Sequence, residues 1–192
     1  MNLTPKVNEN FENNICVKCG LCCDGTLFNW ASIESDEIVD ELFREEIIKT
    51  NPNGKITYPQ PCSFLHNCVC SIYNSEKPKR PLICGKFKCK LLLNQQAGTV
   101  SYDEAILLIE KTKQLAQKND ALIHEALPKS AALSTSKKIK AFKNEFESAP
   151  NQAEFRKQYG PVLLNSFAFE TWLKKHFIAE PTKKHKTPNQ FL

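Results

Sequence analysis

A thiol-rich half followed by a thiol-free one predicts a small irregular metal-organised α(+β) cysteine-cluster module, then a mainly α-helical C-terminal half. Three observations carry that expectation. All nine cysteines of the 192-residue chain lie within residues 1–90. Residues 14–90 show little regular apolar periodicity, as loops wrapped around ion sites would. Residues 91–180 instead carry apolar side chains at helical spacing. The expected layout is a flexible N-terminus over 1–13, a cysteine-cluster metal-binding domain over 14–90, a helical region over 91–180 and a disordered tail over 181–192.

In the first half one helix is predicted, SDEIVDELFREEIIKT over 35–50. Ser35 is its N-cap, Asp36 and Glu37 suit the positive helix start, and Val39, Leu42, Phe43 and Ile47 line one face. Asn51-Pro52-Asn53-Gly54 stops it. Trp30 reads as a core residue. In the second half, SYDEAILLIEKTKQLAQKNDALIHEAL opens with a capping box, Ser101 with Glu104, and Leu108, Leu115 and Leu122 recur every seven residues. SKKIKAFKNEFES puts Ile139, Phe142 and Phe146 on one side and lysines opposite. Tyr159-Gly160-Pro161 is expected to break the chain before VLLNSFAFETWLKKHFIA, in which Phe169, Leu173, His176 and Phe177 share a face.

The N-terminus MNLTPKVNENFENN has no apolar leader, and the longest aliphatic runs fall far below the roughly 18 residues that span a bilayer. The expectation is a soluble, cytoplasmic protein with no membrane contact. Thiols stay reduced in that compartment, so dense cysteines point to metal or redox chemistry rather than disulfides. An odd cysteine count argues the same way, as does the vicinal pair Cys22–Cys23, which could bridge only with strain. Net charge runs from −5 over residues 1–60 to +7 over residues 129–192. Such a slope could serve an acidic partner, although solvated helix faces are its commoner cause.

The densest stretch is ICVKCGLCCDG, residues 15–25. Cys16-x2-Cys19 is a knuckle spacing, in which two thiolates reach one ion across a tight turn. Cys19-x2-Cys22 repeats it, with Gly20 and Gly25 giving the backbone freedom to turn. PCSFLHNCVCSIY then offers Cys62, Cys68 and Cys70, and RPLICGKFKCK offers Cys84 and Cys89. Thiolate-rich sites suit zinc, Cu(I) and iron–sulfur clusters. Eight thiolates could close two tetrahedral sites of four. Because neighbouring side chains diverge, Cys22 and Cys23 are expected to serve different ions. Lys18, Lys77, Lys79, Arg80, Lys86, Lys88 and Lys90 flank the cysteines and would offset thiolate charge.

The series CVKCGLCC, PCSFL, CSIY, RPLIC and F-K-C resembles the YkgJ-type cysteine-cluster family of zinc- or iron-chelating proteins, over about residues 14–90. Carried over residue by residue, the resemblance implies metal ligands at Cys16, Cys19, Cys22, Cys23, Cys62, Cys70, Cys84 and Cys89, with Cys68 left over. Two features depart from the pattern. The loop between Tyr73 and Arg80 is longer, and Gly85 follows Cys84 where an arginine is common. The cofactor implied is zinc or iron, the latter also as an iron–sulfur cluster.

Metal binding through these thiolates is thus the first functional reading. An iron–sulfur-dependent enzyme related to flagellin lysine N-methylases is the alternative, although no S-adenosylmethionine site is recognisable. A zinc-containing nucleic-acid-binding protein is the second alternative, without the interleaved aromatic and basic residues that such binding uses. The partners expected are metal ions and an unidentified protein; nucleic acid is not. His66 reads as a polar loop residue before a ligand, His124 and His176 as packing or surface residues, and His185 as part of the tail. Tyr73, Arg80 and Pro81 are expected to shape the loop that presents Cys70 and Cys84.

Overall fold

The structure, a computed structural model, describes residues 14–33, 49–50, 56–75 and 80–179. The N-terminus, the tail and most of the helix predicted over 35–50, with its Asn-Pro-Asn-Gly stop, lie outside the described residues. Only the end of that helix is tested: Lys49 and Thr50 form a strand instead.

Chain order begins with a short helix α1 (Ile15–Cys19), capped by the Asn14 side chain, which accepts the Cys16 N–H, and ended by Gly20 at φ +73°. Strands β1 (Trp30–Ile33), β2 (Lys49–Thr50) and β3 (Ile56–Pro59) make an antiparallel sheet in the order β1-β3-β2. Trp30 faces Pro59 and Ile33 faces Ile56 across the ladder. Trp30, expected in the core, is 47% exposed. It opens an edge strand whose only fully buried residue is Ile33 at the other end. A hairpin follows, β4 (Leu65–His66) with β5 (Val69–Cys70). Its two turn residues, Asn67 and Cys68, both have positive φ, which gives the turn a twist matching that of the paired strands.

The remaining elements are helices: α2 (Leu82–Lys86), α3 (Lys90–Gln96), α4 (Tyr102–Ala126), α5 (Thr135–Ser148) and α6 (Gln152–His176). The Ser101–Glu104 capping box is present in both directions, with Ser101 N–H donating to the Glu104 carboxylate at 2.8 Å and Glu104 N–H to Ser101 Oγ at 3.2 Å. That bonding holds the Glu104 carboxyl below its ordinary range. The break expected at Tyr159-Gly160-Pro161 is present as a kink: Tyr159, at φ −117° and ψ 15°, leaves helical geometry and divides α6 into two helical stretches. Pro161 lacks an N–H and its ring crowds the preceding turn, which bends a helix without ending it when both sides are packed. Phe155 and Tyr159 supply that packing before the kink, their rings against Phe142 of α5.

Two apolar cores result. The larger unites α1 and the loop after it with the helices: Ile15, Cys19, Leu21, Leu27, Cys89 and Leu91 are buried together with Ala105, Ile109, Ala116, Ile139, Phe142, Phe169, Leu173 and Phe177. It therefore crosses the change of composition at residue 90. The smaller core is Ile33, Tyr58 and Ile72, with Ile56, Phe64, Cys62, Cys70 and Ile83 packed against it. Polar ties fasten the cysteine loops to the helices. Lys113 Nζ donates to the Lys18 carbonyl at 2.8 Å, Ser136 Oγ to the Gly25 carbonyl at 2.7 Å, and Lys137 Nζ to the Gln60 carbonyl at 2.9 Å. A Cβ at Gly25 would stand 2.5 Å from Ser134 Cβ, so the loop after Cys22–Cys23 lies hard against the start of α5.

Candidate metal centre

All nine cysteines are free thiols. The eight inherited from the resemblance divide by position into two fours. Cys16 and Cys19 sit on α1, Cys22 in the turn after it, and Cys89 just before α3, where its sulfur caps the helix by accepting the Leu92 N–H. Cys19 and Cys89 are buried in the larger core and Cys22 packs against it. Cys23 turns the other way. Its carbonyl accepts the Cys62 N–H at 2.7 Å, and Cys62 and Cys70 pack on the smaller core. Cys84, on α2, lies 3.0 Å from the Tyr58 hydroxyl of that core.

Burial is the main influence on the thiols, and after it Cys16 and Cys19 feel Cys89, Cys23 and Cys62 feel Cys84 and Cys70, and Cys22 feels Cys23 as well as Cys19 and Cys89. Burial, then Cys89, pushes the Cys16 thiol up to about 11, and Arg80 opposes the rise. Water moderates that effect at Cys16, whose residue is exposed. Burial raises Cys19 and Cys22 further; the Leu21 N–H opposes the rise at Cys19 while Cys89 and Cys16 add to it, and at Cys22 Cys19, Cys89, Cys23 and Cys16 add in turn. In the second four, burial and then Cys62, Cys84 and Cys70 push Cys23 up to about 12. Burial, aided by Cys84 and Cys70, takes Cys62 up to about 11 against the bond from the Phe64 N–H. Burial and the nearby Cys84 also hold the Tyr58 hydroxyl far above its ordinary range, so it stays protonated and can donate to a Cys84 thiolate.

Such a set fits a thiophilic cation. Thiols crowded into partly buried fours gain by losing their protons only if positive charge arrives with the ionisation. Among the described residues no three His, Cys, Asp or Glu side chains are gathered tightly enough to hold an ion as they stand. Ligation would draw each four inward to the bond length of about 2.3 Å that zinc thiolates adopt.

Cys68, left over by the resemblance, occupies the left-handed second position of the hairpin turn and lies against the turn between Cys19 and Cys22, where a Cβ on Gly20 would meet its backbone and side chain at 3.4–3.5 Å. His66, on β4, is exposed, and so is His124 on α4. His176 stacks on Trp172 at 4.2 Å. Arg80 lies over the Tyr73 ring at 4.0 Å, and Tyr73 Oη accepts from Asn14 Nδ2 at 2.6 Å, so this loop is pinned to the cap of α1. Sequence reasoning missed Tyr58, Asn14 and Lys113. Tyr58 shows no sign in KITYPQPC beyond strand-forming composition, while Asn14 before ICVKC is a readable N-cap.

A thiol-dense module of short elements seated on a helical bundle defines a cysteine-cluster protein. The chain belongs to the CxxCxxCC family, described as "Putative zinc- or iron-chelating domain", which matches residues 15–120. The match runs beyond residue 90 through most of α4, as the shared core would require, since Ile109 and Ala116 belong to the same buried cluster as Cys19 and Cys89. No curated protein and no solved structure matches the chain. No helix among the described residues is long and apolar enough to cross a membrane.

Proposed function

We propose that the protein binds two thiophilic metal ions, zinc or iron, in two centres of four thiolates. Cys16, Cys19, Cys22 and Cys89 hold one, and Cys23, Cys62, Cys70 and Cys84 the other. The observation that carries this reading is the division of the Cys22–Cys23 pair, one packed on the larger core and its neighbour accepting the Cys62 N–H through its carbonyl. Each ion, once bound, cross-links segments far apart in sequence. Bound zinc can contribute about 10–16 kcal/mol to folding a small domain, enough to organise loops with so little apolar core. The protein's own residues supply the rest: Tyr58 donates to the Cys84 sulfur, the Leu92 N–H to Cys89, and Arg80 offsets negative charge beside Cys16.

The test is the metal content of Cys23→Ala, purified without oxygen and measured beside the wild type by elemental analysis and visible absorption. Two centres predict about half the wild-type content, because Cys16, Cys19, Cys22 and Cys89 remain. A single shared cluster predicts near-complete loss. Absorption in the thiolate-to-iron region identifies iron or an iron–sulfur cluster, and a colourless, zinc-containing protein identifies zinc.

A further inference from the structure

The two fours stand in unequal surroundings, and that inequality bears on what the centres do. The first has two of its ligands, Cys19 and Cys89, buried among the seventeen residues of the larger core, between α1 and the long helices. The second rests on three buried residues, and none of its cysteines is buried. Its ligands come from short elements: the two-residue strand ending at Cys70, the turn at Cys62 and the five-residue helix that carries Cys84. Segments with few buried contacts open locally at far lower free energy than the main core. Cys84 is exposed, and a side chain at the adjacent Gly85 would meet nothing within 4 Å. A cavity of about 250 Å³ opens beside it, lined by Tyr73, Ser75, Arg80, Pro81, Leu82 and Gly85. Cys16 of the first four is exposed as well, but its partners are not free to part from the core.

Resting on the two-centre reading, we infer that the centres divide the work: the Cys16–Cys19–Cys22–Cys89 ion is fixed, and the Cys23–Cys62–Cys70–Cys84 ion is exchangeable, entering and leaving through Cys84. As the ion leaves, the Cys84 sulfur would give up its bond to the ion and take a proton from solvent, with no change of oxidation state. Tyr58, 3.0 Å from that sulfur, holds the leaving thiolate by a hydrogen bond until the proton arrives.

The experiment uses the full chain loaded with zinc under a non-chelating reductant, challenged with the chromophoric chelator pyridylazoresorcinol. Total zinc is read first. About two ions per chain are expected, and one or none would sink the two-centre reading itself, whatever the rates. With two bound, one equivalent should leave faster than the other by roughly tenfold or more. Cys84→Ser should abolish the fast equivalent and keep the slow one. Gly85→Trp leaves every thiol in place and adds bulk beside Cys84, so it should slow the fast phase without changing total zinc. Release of both ions at one rate overturns the inference, as does a fast phase unaffected by Gly85→Trp or loss of the slow equivalent in Cys84→Ser.

Discussion

Tyr58 is the residue whose chemistry is most sharply defined. It is buried, its hydroxyl stays protonated, and its nearest polar neighbour is the sulfur of Cys84. Removing such a supporting hydrogen bond typically costs about 10–100-fold in metal affinity. Tyr58→Phe should therefore weaken the second zinc equivalent by that order and leave the first unchanged, as competition titration would show. Equal weakening of both would mean that Tyr58 acts through the fold instead. Cys68 makes the complementary case. The proposed ligand set leaves Cys68 out, and so predicts that Cys68→Ser keeps nearly full metal content, whereas serine at Cys19, Cys23, Cys70 or Cys84 lowers it. If elemental analysis shows Cys68→Ser losing as much metal as these, the ligand set is misassigned. The cysteine spacings were legible in the sequence because they are read without knowledge of the fold. Tyr58 was not, because a phenol that bonds one sulfur leaves no periodic mark.

At the scale of elements, the long helices were legible, whereas the strands and the short helices α1, α2 and α3 were not. Capping residues and apolar stripes announce a helix locally, and α4 begins where Ser101 and Glu104 say it does. Ser101→Ala should lower stability by about 0.5–2 kcal/mol in chemical denaturation without changing metal content; an accompanying loss of metal would tie that helix start to the thiols. The hairpin was hidden because its left-handed turn is built from Asn67 and Cys68 rather than the usual Asn-Gly, and because its strands are two residues long. Trp30 was misplaced for a related reason, since an aromatic side chain at the outer end of an edge strand has the composition of a core residue and the neighbours of a surface one. The interruption at Tyr159 was legible because Pro161 removes a backbone hydrogen bond; the helical stretch before it, from Gln152, was not, and its Phe155 and Tyr159 rings pack on Phe142 of α5.

For the whole molecule, proton balance should give opposite pH trends with and without metal. The crowded thiols have folded values above those of the unfolded chain, as with Cys16 and Cys62 at about 11 and Cys23 at about 12 against an ordinary 9.0. In the metal-free protein this stabilisation is complete below about pH 9 and is lost as pH rises through the folded values. Its denaturation midpoint should accordingly fall between about pH 8 and about pH 10.5. Metal binding runs the other way, because each centre must shed about four protons to fill, so affinity rises with pH over the neutral range. Calorimetry in buffers of different ionisation heat counts those protons. A count near zero would mean that the thiols were already ionised, contrary to their burial.

The larger core also limits what can be taken out of this protein and used elsewhere. A chain shortened to end at Gln96 would keep all nine cysteines and both CxxC spacings, and by its motifs it would pass for a complete metal-binding peptide. It would lack Ile109 and Ala116, which share the larger core with Cys19 and Cys89, and the Lys113 tether to the Lys18 carbonyl. The first four thiols would then have to find their geometry with one wall of their mould missing, while the second would keep its own small support of Ile33, Tyr58 and Ile72. Such a fragment should carry one ion at most, held by the more open site. On that expectation the cysteine-free helices would belong to the metal-binding apparatus, and a graft of the thiols alone would lose an ion.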